Sequence, residues 1–268
     1  MVKCQVVMDA LERIAPRHLA EDWDNPGLLV GSPQREVSRI LTALDVSDSV
    51  VRQAIREGAE MIVAHHPLLF HPIKSIRTDE PLGHRLQLLL QHDIAVAAAH
   101  TNLDIVRGGV NDVLADAIGL SKLSSFVITA QAEDGRTESL GRIGSLPQPM
   151  TIREFAGQVK KALPTEHVRF VDAGGRPVRK VALCSGAGAE FIEKAAAMGA
   201  DAYVTGDVRY HDAQHAAELG MHVIDAGHFG TEFPVVEVLA ERLREELRDK
   251  GRVEVIADRK SKDFFLLA

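Results

Sequence analysis

Between Arg39 and Pro67 the chain reads as an apolar run of strand length, RILTALDV, then SDSVVRQAIREGAE, then a second apolar run, MIVAHHP. Val50, Val51, Ala54 and Ile55 recur at helical spacing on one face, Ser47 stands where a helix is capped, and Gly58 where one stops. A strand, a helix and a strand in that order predict a parallel pair. A further helix around Leu82 to His92 leads to an apolar strand, IAVAAA, and the chain emerges from it into His100, Thr101, Asn102, Leu103 and Asp104.

The same form returns in KVALCSGAGAEFIEKAAAMGADAYVTGD. At one constant offset, 180 − 39 = 141, Arg39 pairs with Lys180, Val51 with Ile192, Ala54 with Ala195, Gly58 with Gly199 and Val63 with Val204. Any two such units share apolar strands and a glycine at the helix end. The paired tips, His100 to Asp104 and His228 to Glu232, each a His four residues before a carboxylate, favour an internal duplication. The expected fold is α/β, two related three-layer halves spanning residues 1–128 plus 233–268 and residues 129–232, with ligands gathering outside the carboxyl ends of the strands. QAEDGRTESLGRIGSLPQP predicts a boundary crossing or a hairpin near residue 130. The amphipathic segment FPVVEVLAERLREELRDKG and the strand RVEVIA after it are expected to rejoin the first half, and MVKCQVVMDALERIAP to form a helix ended by Pro16.

Composition narrows the class. Hydrophobic residues make up 46% of the 268 and charged residues 26%, and no apolar run has membrane length, which excludes a spanning helix. Thirty-one basic against 38 acidic side chains give a net charge of −7, which disfavours a general nucleic-acid role. Cys4 and Cys184 are too few for a disulfide framework and neither belongs to a CxxC pair, so a reducing, cytoplasmic setting is expected. Twelve histidines lie among few aromatics, and where they fall carries the chemistry.

His65 and His66 leave an apolar strand before Pro67. Consecutive strand side chains point to opposite faces, so both rings reach one site only if the chain bends there; otherwise they are two polar residues at a strand exit. Asp104 follows a second strand exit, and His228 and Glu232 a third. Five imidazole and carboxylate donors suit two divalent ions of the Zn, Mn, Fe or Ni type, bridged by a carboxylate and activating water. GDVRYHDAQHA adds Asp207 and Tyr210 as supporting or substrate contacts and His211 as a candidate proton carrier, although His211 and His215 at four-residue spacing also make an ordinary helix face. Trp23 and Asn25 lie in EDWDNPGLLVG, either a structural corner or a substrate contact; His100 and Asn102 are further supporting or substrate contacts, and a phosphate could sit only at a strand-to-helix loop such as the one around Thr101 and Asn102. His18, His71, His84, His92, His167 and His222 are read as surface or packing residues.

Taken with DWDNPGLLVG, AHHPLLF, AHTNLD, TGDVRYHDA and DAGHFGTE in that order, the chain resembles, nearly end to end, the dinuclear-metal family of GTP cyclohydrolase 1 type 2 homologues, also called Nif-three-like. The resemblance implies a paired metal site between two α/β halves, held by His65, His66, Asp104, His228 and a shared Glu232. It also implies a ring-shaped homohexamer and the opening of the imidazole ring of GTP by activated water. The chain is similar to the shorter members, which lack an inserted central domain. Two functions follow as expectations: a metal-dependent hydrolase acting on a purine nucleotide or related small cyclic substrate, or a non-catalytic metal-binding or regulatory scaffold with a nucleic-acid or protein partner.

Overall fold

A computed structural model describes residues 1–131, 135 and 137–266. In chain order it opens with β1 (Val2–Lys3), α1 (Cys4–Ile14), β2 (Gly27–Val30), β3 (Glu36–Val37), β4 (Arg39–Ala43), α2 (Asp48–Glu57), β5 (Met61–Ala64), α3 (Pro81–Gln91), β6 (Ala95–Ala98) and α4 (Thr101–Ile105). There follow α5 (Val110–Ala117), β7 (Ser121–Gln131), β8 (Thr137–Met150), α6 (Ile152–Ala162), β9 (Arg169–Val171), β10 (Val178–Ala187), α7 (Ile192–Ala197), β11 (Ala202–Gly206), α8 (Tyr210–Glu218), β12 (His222–Asp225) and α9 (His228–Glu232). The chain ends with α10 (Val235–Leu247) and β13 (Glu254–Ala257). It divides into two compact units, Met1–Val106 with Val236–Ser261, and Arg107–Val235 with Lys262–Ala268.

The first unit holds a mixed five-stranded sheet in the order β13-β4-β5-β6-β2. Its middle strands are parallel, as the helical link between them requires, and β2 closes one edge antiparallel to β6. Every residue of β5 and β6 is buried, and their apolar runs lack polar alternation because both faces of the sheet are covered. Ser47 accepts a hydrogen bond from the Val50 amide at the start of α2, and Gly58 takes the left-handed turn, φ 66°, that ends it. The last strand, β13, pairs parallel with β4, and Val236–Ser261 is part of this unit.

The second unit holds a mixed six-stranded sheet, β7-β8-β10-β11-β12-β9. Its parallel trio β10-β11-β12 is edged by the antiparallel β9, as β4-β5-β6 is by β2. In the first unit Ile40 pairs with Met61 and in the second Val181 with Ala202, so the offset of 141 carries one pairing onto the other, 181 − 40 = 202 − 61. The third strands do not keep that spacing. Ala98 lies opposite Ala64 and Asp225 opposite Thr205, which makes His100 the residue before α4 but His228 the first residue of α9. The two tips are therefore one position out of step along their helices.

The charged, Gly-rich segment near residue 130 includes a hairpin within the second unit, since β7 pairs antiparallel with β8; residues 132–134 and 136 lie outside the described residues. Residues 107–128, grouped with the first half by the sequence, belong to this second unit, where Leu114, Ala115 and Ile118 of the α5 region join its core.

Candidate functional site

Candidate metal-binding side chains occur in each unit. In the first, β5 ends at Ala64 and the backbone keeps its ladder for two residues more, His65 N donating to Ala43 O and His66 N to Leu44 O. The two imidazoles nonetheless converge, with ring centroids 4.9 Å apart. The ring of His100 joins them at 5.2 Å and 5.6 Å, and all three present ligand atoms within 4.8 Å of one another, a group able to hold a metal ion. Asp104, on the first turn of α4, brings Oδ1 to 3.6 Å from His65 Nε2. His65 is fully buried and Asp104 7% exposed, so any charge they share is poorly screened.

What orients these rings is a set of acceptors behind them. His65 Nδ1–H donates to Ala99 O at 2.9 Å, His66 Nδ1–H to Asp45 Oδ1 at 2.8 Å, and His100 Nδ1–H to Asp24 Oδ1 at 2.8 Å. An imidazole whose Nδ1 carries the proton has its lone pair on Nε2, the tautomer a metal needs. Asp24 also accepts from the Thr101 amide at 2.9 Å and from the Thr101 hydroxyl. Burial pushes the Asp24 pKa up, but the hydrogen bonds from His100 and Thr101 outweigh it and bring the pKa down to about 2.

That shift sets a pH-dependent stability. The folded pKa lies below the unfolded one, so the contribution is complete above roughly pH 4 and is lost as pH falls through 2. Asp24→Asn should cost about 2 kcal/mol at pH 7, the gap to the parent chain roughly halving by pH 3. Denaturant titrations at the two pH values check it, and an equal gap at both would contradict it.

In the second unit His228 and Glu232 stand one turn apart on α9, with Nε2 and Oε2 3.1 Å apart. Again Nδ1 is engaged, donating to Asp207 Oδ2 at 2.8 Å. Asp207 follows the end of β11 in the left-handed region, φ 55°, where Asp is among the better tolerated side chains. The end of β10 wraps closely round α9. Gly186 N donates to Thr231 Oγ1 at 2.9 Å, and a Cβ on Gly186 would overlap Glu232 Oε1 and come within 3.2 Å of His228 Nε2. Glu232 is 4% exposed. Gly186, with φ 62°, thus lets the backbone at the end of β10 pack directly against Glu232 and His228, an imidazole and carboxylate pair that fits a divalent ion.

The remaining candidates sit as follows. His211 is exposed on α8, its Nδ1 3.5 Å from Gln214 Oε1 and its ring 5.3 Å from that of Tyr210, itself 79% exposed. Asn102 is buried and bonded at both ends of its amide, accepting from His100 N and donating to Ala15 O, so it holds the His100 loop in place. Asn25 donates to Leu69 O at 2.6 Å. Sequence reasoning passed over Asp24, Asp45 and Gly186. Asp45 carried a signal, a carboxylate at the exit of the strand neighbouring the one that ends in His65; Gly186 carried none.

Two mixed α/β sheets whose strand exits carry His and acid clusters able to bind metal define the class. The family model of Duf34/NIF3 (NGG1p interacting factor 3) matches residues 2–263, and the chain belongs to that family. It is 35% identical over 98% of its length to the GTP cyclohydrolase 1 type 2 homolog of Clostridium perfringens, covering 99% of that protein, and 36% identical to the Streptococcus pneumoniae protein of the same name, covering 91% of each chain. The crystal structure of a Bacillus cereus protein related to NIF3 is similar with a TM-score of 0.93 and 29% identity, over 99% of both chains. Among the described residues no helix is long and apolar enough to cross a membrane.

Proposed function

We propose that this chain is a dinuclear metal-dependent hydrolase acting on a purine nucleotide or a related cyclic compound. The observation that carries the reading is the shared state of four imidazoles: His65, His66, His100 and His228 each donate from Nδ1 to a carbonyl or carboxylate, which leaves Nε2 to coordinate. In the proposal His65, His66, Asp104, His228 and Glu232 hold two ions of the Zn, Mn, Fe or Ni type, with Glu232 common to both and His100 a further donor. Divalent ions so held supply Lewis acidity and make water a stronger nucleophile at neutral pH. The ligands come from tips that follow two similarly paired strand trios, which supports reading the two units as products of one duplication.

His211 is proposed to carry the proton at Nε2, and Asp207 to hold the imidazole of His228. The substrate class comes from the name borne by the relatives, GTP being the first compound to test.

Metal analysis after reconstitution should give about two ions per chain, and the loaded protein should turn over GTP or another nucleotide in a panel. His211→Ala should keep its ions and lose roughly 100-fold or more in kcat. Two ions held with no turnover on any compound would overturn the hydrolase in favour of a metal-binding scaffold. Well under one ion per chain would overturn the dinuclear centre itself.

A further inference from the structure

Trp23 is the chain's only tryptophan and is 59% exposed; Phe70, on the loop after His66, is 39% exposed. Their rings meet edge to face with centroids 5.8 Å apart. Both stand by the ring of His100, Trp23 at 6.1 Å and Phe70 at 6.2 Å, and His100 in turn belongs to the three-histidine group able to hold a metal ion. The exposed rings are therefore a continuation of the candidate metal cluster, through one shared side chain.

Three consecutive residues build this arrangement. Trp23 supplies the ring, Asp24 fixes His100 through Nδ1, and Asn25 holds the chain next to Phe70 by its bond to Leu69 O. The carboxylate that anchors the turn has a side chain with no exposure at all, while the indole beside it faces solvent. Rigid backing and an open aromatic surface are what a stacking platform needs, because a ring already held in place loses little freedom when a ligand arrives. Every aromatic heterocycle offers a π-face, so such a platform selects for planarity.

We propose that Trp23, Phe70 and His100 form a stacking subsite that takes the planar heterocyclic ring of the substrate and sets it beside the metal cluster. The subsite deepens the hydrolase reading and rests on it for the reason a ring should be brought there. Its test is of binding, so the two can fail separately.

The single tryptophan is the probe. Metal-loaded full-length protein is titrated with guanosine 5′-monophosphate and, separately, with ribose 5-phosphate, following Trp23 emission and heat. The nucleotide should change the emission and ribose 5-phosphate should not. Phe70→Ala and Trp23→Leu should each weaken nucleotide binding about 5- to 100-fold with ion content unchanged, and Trp23→Phe should restore most of it. Should Trp23→Leu fail to fold, Phe70→Ala decides. Absence of nucleotide binding at millimolar concentration, equal affinity for both compounds, or variants that bind like the parent would each overturn the subsite. Emission that follows protein concentration and ignores the nucleotide would overturn it too, by showing the rings covered by a second copy of the chain. Ring-dependent binding without turnover leaves the subsite standing and removes the hydrolase.

Discussion

If the proposed dinuclear centre is right, Glu232→Ala is expected to lower affinity for both ions by on the order of 100-fold or more, while His228→Ala empties one position and leaves its neighbour near the parent affinity. The difference lies in charge and in denticity. A carboxylate has two oxygens and can serve two ions, whereas an imidazole offers one nitrogen to one ion. Glu232 also supplies a negative charge at a place only 4% exposed. At an effective dielectric of about 20 a pair of unit charges 4 Å apart interacts by roughly 4 kcal/mol, so loss of that charge beside two dications outweighs loss of a neutral ring. Calorimetric titration with Zn or Mn separates the cases: Glu232→Ala keeping one ion at the parent affinity would refute the shared carboxylate.

The parts of this molecule legible in the sequence are those specified locally. Ser47 and Gly58 bound α2, and apolar β4 and β5 sit on either side of it; the equivalent register of β10 with β11 follows from the same spacing of apolar runs. The long strands β7 and β8 were legible only as one of two alternatives, a hairpin near residue 130 or a boundary crossing. Much of β7 is exposed and Ser-rich, with little alternation to betray a buried face, and its place depends on pairing with β8. The histidines at the strand exits could be found because their types and positions are visible along the chain. Their supports could not: Asp45 acts on His66 from 21 residues away and Asp24 on His100 from 76, and a hydrogen bond at such separation is a product of the fold. The one-residue slip between the tips has the same origin, since a fixed His-to-carboxylate spacing says nothing about where a helix begins.

One substitution made at two glycines should act with opposite sign, and the comparison tests how tightly the second unit's strand exits are packed. Gly206 ends β11, and a Cβ there would lie 2.6 Å from Gly227 C, 2.7 Å from Gly186 O and 2.7 Å from His228 N. All three are backbone atoms, in the exits of β10 and β12 as well as in the residue that begins α9, so no side-chain rotation relieves the clash. Gly206→Ala should cost about 3 kcal/mol and lower Tm by roughly 10 °C. Because the displaced backbone carries Gly186 and His228, metal affinity should fall with it. Gly157, in contrast, lies exposed within α6 with nothing inside 4 Å of its would-be Cβ. There the methyl group only restricts the unfolded chain and favours the helix, so Gly157→Ala should gain about 0.5–1 kcal/mol and leave metal binding alone. Thermal melts and metal titrations on the two variants read both quantities. A Gly206→Ala protein as stable as the parent would mean that the exits of β10, β11 and β12 are not held in contact, and the close approach of Gly186 to Glu232 would lose its support.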